Sequence, residues 1–122
     1  MKRALRVTTD FQFEVLDLST DSYRKLSDSV GGLVEHVGLN SQVSLWCNEE
    51  GKLQADPVIN AVATFFFHQE YGPADLICGD VVFTGGDDGN GDNESLSIEN
   101  TEMIKDVARR LAKAMSLSVT II

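Results

Sequence analysis

From residue 57 the chain reads Pro57, Val58, Ile59, Asn60, Ala61, Val62, Ala63, Thr64, Phe65, Phe66, Phe67, and this segment restricts the fold more than any other. Asp56 before Pro57 is a helix-start signal, because aspartate accepts from free amides and proline at the first helical position lacks only a donor that would have no partner anyway. The spacing predicts a helix over 57–70, stopped by Gly72 and Pro73. Its apolar side chains wrap nearly all the way round, so no face is suited to water. Such a helix has to be the buried centre of a domain, and the rest of the chain has to supply what covers it.

The covering elements read mostly as strands. Segments 3–9 and 11–18 look extended, and Phe11, Phe13 and Val15 alternate with Gln12 and Glu14 as in a half-buried strand. Ser19, Thr20 and Asp21 then offer an N-cap to a short amphipathic helix carrying Tyr23, Leu26 and Val30, closed by Gly31 and Gly32. Strands follow over 33–39 and 42–48, the second pointing Val43, Leu45 and Cys47 to one face. Asn48, Glu49, Glu50 and Gly51 form a hairpin turn with Gly51 in the left-handed position, and 52–55 is a short return strand. A further strand spans 76–84. The last helix begins near Asn100, with Ile104, Val107, Ala108, Leu111, Ala112 and Met115 on one stripe, and 118–122 adds a final strand. The expectation is one α+β domain over 1–122: a mostly antiparallel sheet of about five strands, the central helix packed on it, and an amphipathic C-terminal helix alongside. With 122 residues, 43% of them hydrophobic, the chain can bury such a core without disulfides.

Charge is distributed unevenly. The net charge is −9, yet residues 1–30 balance, and residues 31–100 hold Lys52 as their one basic side chain against twelve acidic ones. That zone repels nucleic acid and anionic membrane and attracts a basic partner. No apolar run reaches the length of a membrane span, and Lys2, Arg3 and Arg6 are not followed by the apolar stretch of a secretory signal. Cys47 and Cys78 are therefore expected as reduced thiols in a cytoplasmic protein.

Several motifs coincide in order: Gly31-Gly32, Glu35, Asn48-Glu49-Glu50-Gly51-Lys52-Leu53, then Pro57, Asn60, Ala63 and Thr64, then Gly79-Asp80-Val81-Val82 and Gly85-Gly86. In this the chain resembles the family called domain of unknown function 3846, small proteins of actinobacteria and their phages and plasmids. The resemblance covers about residues 1–86, most specifically 48–64, and leaves the acidic loop and the last helix outside the pattern. It implies the setting of a mobile-element accessory protein and brings no activity with it.

Candidate sites are few. Residues 85–95 form an acidic, glycine-rich loop whose Asp87, Asp88, Asp92 and Glu94 are candidates for contacting a partner. Asp88, Asn90, Asp92 and Glu99 match positions 1, 3, 5 and 12 of a calcium loop, but Asn93 stands where that loop needs glycine and a strand precedes it. A solvated linker is the plainer reading, and no metal is assigned. Trp46 alternates with the core-facing residues of its strand. If no helix covers that opposite face it is an interface anchor, and if one does it is core. Asn60 and Thr64, one helical turn apart, either hold a neighbouring loop or open onto a small-ligand pocket. Cys47, Cys78, His36 and His68 fit neither a nucleophile–base motif nor a zinc spacing. The expectation is a non-enzymatic protein without a cofactor that binds a host protein. The alternative is a small-ligand or nucleotide binder using Asn60 and Thr64.

Overall fold

The computed structural model describes residues 1–116. Five strands, β1 (Arg3–Val7), β2 (Phe13–Asp17), β3 (Val34–Gly38), β4 (Ser44–Asn48) and β5 (Val81–Thr84), form one sheet in the order β2-β1-β5-β4-β3. Every neighbouring pair is antiparallel. Three helices, α1 (Ser22–Val30), α2 (Ala61–Tyr71) and α3 (Ile98–Ser116), complete the α+β domain. The strand expected at 118–122 lies outside the described residues.

The sheet is covered on both faces. Leu5, Val7, Val43, Leu45, Cys47, Val81 and Phe83 meet Val62, Ala63 and Phe66 of α2 and Ile104 and Ala108 of α3 in the main core. On the other face Leu26 of α1 packs with Ala4, Leu18 and Val82, against Leu16, Val34 and Trp46. All four residues of the central strand β5 are consequently buried, as a strand covered on both sides requires. Burial of side chains this size contributes roughly 1.5–3 kcal/mol each, so the two-sided sheet is where most of the stability resides.

The helix ends show which local signals won. Gly31 takes φ 80° and donates its amide to Ser27, ending α1 where a side chain would be strained. Gly72, at φ 81°, ends α2 in the same region of φ. The start of α2 differs from expectation. The helix begins at Ala61, capped by Asn60, whose Oδ1 accepts the Ala63 amide at 3.1 Å. Asp56 and Pro57 lie outside it, and Val58 and Ile59 are about half exposed, at 55% and 49%. The return strand expected over 52–55 is instead a single 3₁₀ turn, Gly51–Leu53. Gly51 is buried there for a reason other than positive φ: a Cβ on it would stand 2.7 Å from the Cys78 carbonyl.

Candidate functional site

The acidic segment is exposed over most of its length and is anchored at its ends. Gly85 donates to the Glu94 carbonyl at 3.0 Å and Glu94 to the Gly86 carbonyl at 2.8 Å, so both ends of the excursion are zipped together. Gly85 and Gly86 are buried because backbone passes across them, at Glu94 and Ser95 for the first and at Ser41 for the second. Asn93 fixes the returning arm: its Nδ2 donates to the Gly85 carbonyl at 3.0 Å and to Ser44 Oγ at 3.3 Å. Beyond it, Ser95 Oγ accepts the Arg3 amide and the Leu96 amide donates to the Arg3 carbonyl, tying the segment to β1. Between these anchors residues 87–92, together with Glu94 and Ser95, stay exposed to solvent.

α1 covers the face of β4 that bears Trp46, and the ring is partly buried there against the Leu26 cluster while still lining a cavity. The indole Nε1–H donates to Thr84 Oγ1 at 3.0 Å, and the ring leans on His36 with centroids 4.7 Å apart. Thr84 Oγ1 in turn donates to the Gly85 carbonyl, and the His36 ring Nε2 meets Ser44 Oγ at 2.9 Å. A connected polar chain therefore runs beneath the loop: His36, Ser44, Asn93, the Gly85 carbonyl, Thr84 and Trp46. Networks of this kind rigidify a surface because every member is satisfied through its neighbours.

Above that chain, between α1 and the loop, lies a cavity of about 140 Å³. Trp46, Leu18, Leu26 and Tyr23 supply its apolar lining, and Asp92, Glu94 and Lys2 its charges. Tyr23 is the most open of these rings, at 59% exposed. Lys2 Nζ lies 2.7 Å from Asp92 Oδ2. The Lys2 ammonium, and secondarily the Asn93 amide, hold the Asp92 carboxyl below its ordinary pKa, so it is an anion at neutral pH. Of the residues expected to contact a partner, the fold brings Trp46, Asp92 and Glu94 together here. Asp87 and Asp88 are not among the lining residues. Each instead accepts local amides of the turn, Asp87 from Gly89 at 2.8 Å and Asp88 from Asn90 at 2.7 Å. Lys2, Tyr23, Thr84 and Asn93 were not singled out by sequence, since nothing local marks a lysine at the amino end as the neighbour of residue 92.

The calcium-loop match dissolves in three dimensions. Asp88 is engaged by turn amides, Asp92 by Lys2, and Glu99 sits in the first turn of α3. Among the described residues no three His, Cys, Asp or Glu side chains are grouped to hold a metal ion.

Asn60 and Thr64 are turned to the protein's own backbone. Asn60 is fully buried, and its Nδ2 donates to the carbonyls of Val7 at 3.1 Å and Gly79 at 3.0 Å. Thr64 Oγ1 accepts the Ile77 amide at 3.0 Å and donates to the Ile77 carbonyl at 3.3 Å. Their hydrogen-bonding capacity goes to pinning 77–79 onto β1 and α2, as the loop-holding reading of this pair expected. The pocket reading of the same pair has no free polar group to use.

The two cysteines, both unpaired and buried, line a second cavity of about 120 Å³ with Glu35, Lys52 and Asp75. Burial, reinforced by the Glu35 carboxylate, pushes the Cys47 thiol up to about 12, which leaves it a neutral packing group at physiological pH. Lys52 is occupied by a salt bridge to Asp75, which raises the lysine's pKa and lowers the aspartate's. A third, more open cleft of about 340 Å³ is bordered by Gly31, Asn48, Gly51, Pro57, Gly79 and Asp80. These are residues that carried the family resemblance, and most have a structural duty. Asn48 Nδ2 caps the Val30 carbonyl at 3.1 Å, Gly79 takes φ 87°, and Asp80 pairs with Arg6 at 2.7 Å while accepting the Thr9 amide.

The fold and site define a small α+β domain with a two-sided antiparallel sheet and an acid-rimmed aromatic cavity under an anchored loop. The chain belongs to the family described as Domain of unknown function (DUF3846), whose model matches residues 1–111. The match extends past residue 86 through the acidic loop and most of α3, so both belong to the family's domain and are not additions to it. Neither the curated proteins nor the solved structures offer a match to this chain.

Proposed function

We propose that this protein is a non-enzymatic binding module of the mobile-element accessory type, acting in the cytoplasm on a basic surface of a host protein. The observation that carries the reading is the cavity flanked by Trp46 and Tyr23 with Asp92 and Glu94 at its rim. Aromatic rings beside carboxylates suit a cationic, partly apolar group, because ring faces and carboxylates both attract positive charge. The acidic zone beyond the cavity favours the same class of partner by steering it in, and disfavours nucleic acid. The non-enzymatic part of the proposal is supported by how the reactive groups are used. Cys47 is held as a neutral thiol, and Lys52 and Asp75 neutralise each other.

The test is affinity capture from an actinobacterial lysate with the tagged protein and its D87N/D88N/D92N/E94Q variant. The expected result is enrichment of a basic protein by the wild type, with recovery falling as salt is raised and falling further for the variant. Equal recovery by a folded variant would remove the acidic loop, and this reading, from consideration.

A further inference from the structure

One wall of the cavity beneath the acidic loop is a lysine belonging to the chain itself, paired there with Asp92, and this indicates what the cavity takes from outside. The position of Lys2 is set by its backbone. Its amide donates to Asp17 Oδ1 and to Ser19 Oγ, both at 3.0 Å, and its carbonyl accepts the Leu18 amide at 2.8 Å. Lys2 is thereby clamped beside the end of β2, and from there its side chain reaches across 90 residues of sequence to Asp92 on the far wall. The ammonium sits at the acidic rim while Trp46 and Leu26 line the space below it.

We infer that the cavity is the docking site for one lysine side chain of the partner protein, and that Lys2 occupies the Asp92 end of it as a built-in competitor. This deepens the proposed function and rests on it. Three observations favour a lysine over other occupants. Asp92 is ionised and already shown in this fold to accept an ammonium at 2.7 Å. The lining combines buried Leu18 and Leu26 with exposed Asp92 and Glu94, which matches a side chain with an aliphatic stem and a charged head. The volume, about 140 Å³, is that of a space taking one side-chain-sized group and not a nucleotide; an engineered cavity of roughly 150 Å³ holds a benzene. An anionic ligand would meet the carboxylates of Asp92 and Glu94, and the one cation of the lining, Lys2, is already paired with Asp92.

An exposed ion pair is worth little in water, so Lys2 is easily displaced. Its presence lowers the affinity for an incoming lysine without closing the site. Removing it has a predicted sign opposite to that of damaging a binding residue: affinity should rise.

Trp46 is the chain's single tryptophan, so its fluorescence reports on the cavity directly. The probe is the peptide acetyl-Gly-Gly-Lys-Gly-Gly-amide, titrated into the full chain at low salt, with the norleucine peptide as the uncharged control. The lysine peptide should shift Trp46 emission saturably and the norleucine peptide should not. Lys2→Met should tighten binding roughly two- to fivefold, the range an exposed ion pair represents. Lys113→Met, the same charge change on the exposed side of α3, should not. Asp92→Asn should weaken binding, whereas Asp87→Asn with Asp88→Asn, outside the cavity, should leave it within error. The inference is overturned if Lys2→Met does no more than Lys113→Met, or if the two peptides behave alike. The two readings fail separately. Loss of lysate capture on loop neutralisation, with no Trp46 response to the lysine peptide, removes only the cavity assignment. Capture that survives neutralisation removes the broader function, and the peptide titration still decides what the cavity takes.

Discussion

The side-chain amide of Asn60 donates to the main-chain carbonyl of Val7, fifty-three residues earlier, at 3.1 Å, in a position fully closed to solvent. The same side chain caps α2 through Ala63 and holds the Gly79 carbonyl, so one residue joins β1, α2 and the segment leading into β5. Asn60→Ala strands two buried carbonyls and one helix-end amide. It should destabilise the fold by about 3 kcal/mol, summing a lost cap of about 1 with buried acceptors left without donors. Asn60→Asp is the sharper test. Aspartate caps as well as asparagine, but here its second oxygen would face two carbonyls. Denaturant unfolding should show Asn60→Asp to be strongly destabilising as well, whereas a residue acting only as a cap would tolerate the change.

Asn93 should matter to the acidic loop and Asn90 should not. Asn93→Ala removes the bonds to Ser44 and Gly85, and about 1 kcal/mol of stability with them. Amide hydrogen exchange over residues 87–94 should speed up in that variant. Asn90→Ala, at the exposed tip, should leave both stability and exchange unchanged.

Gly51→Ala should destabilise by roughly 1–3 kcal/mol, the usual range for forcing an extra methyl into packed surroundings. The new Cβ would meet the Cys78 carbonyl, which is backbone and cannot swing aside. Gly38→Ala is the control, since open space surrounds that position. Thermal unfolding of the pair separates local crowding from any general effect of replacing glycine in this half of the chain.

Acid should weaken the fold in a defined window. Asp17 is drawn down to about 2, first by the Ser19 hydroxyl and then by the amides of Lys2 and Ser19, while Asp92 and Asp75 are lowered by their lysine partners. A carboxyl whose folded pKa is depressed adds stability above its unfolded value, and that stability is lost as pH falls through the folded one. Stability should therefore be flat from neutral pH to about 4 and decline from there towards pH 2. Asp17→Asn should flatten part of that decline. A decline beginning near pH 6 would point to other groups.

Cys47 should resist alkylation in the native protein. With its thiol held near 12 by burial and by Glu35, iodoacetamide at pH 8 should leave it unmodified over hours and label it rapidly in denaturant. Peptide mapping by mass spectrometry reads each cysteine separately.

Much of the domain was written in local patterns, because local patterns record which atoms each short segment can hide or bond by itself. Alternation over 43–47 put Val43, Leu45 and Cys47 on the core face, and the helical stripe of α3 put Ile104 and Ala108 there. Gly31 and Gly72 marked helix ends since only glycine takes those φ values without strain. The class of fold followed from such signals. Decisions between two adequate local answers did not. Asp56 and Asn60 are both competent caps, and Asn60 prevailed because Val7 and Gly79 place carbonyls where only an amide can donate to them. Segment 52–55 could pair as a strand until Cys78 closed over Gly51. The acidic loop is as solvated as its composition suggests, but its anchoring by Asn93, Gly85 and Gly86, through partners as distant as Ser41 and Ser44, was not written locally. The site shares that origin. Sequence marked Trp46, Asp92 and Glu94 one at a time as an aromatic and two acids, and the pairing of Lys2 with Asp92 arose only when β1, α1 and the loop came together. Composition supplied the charges, and the long-range packing of the sheet decided which of them face one another.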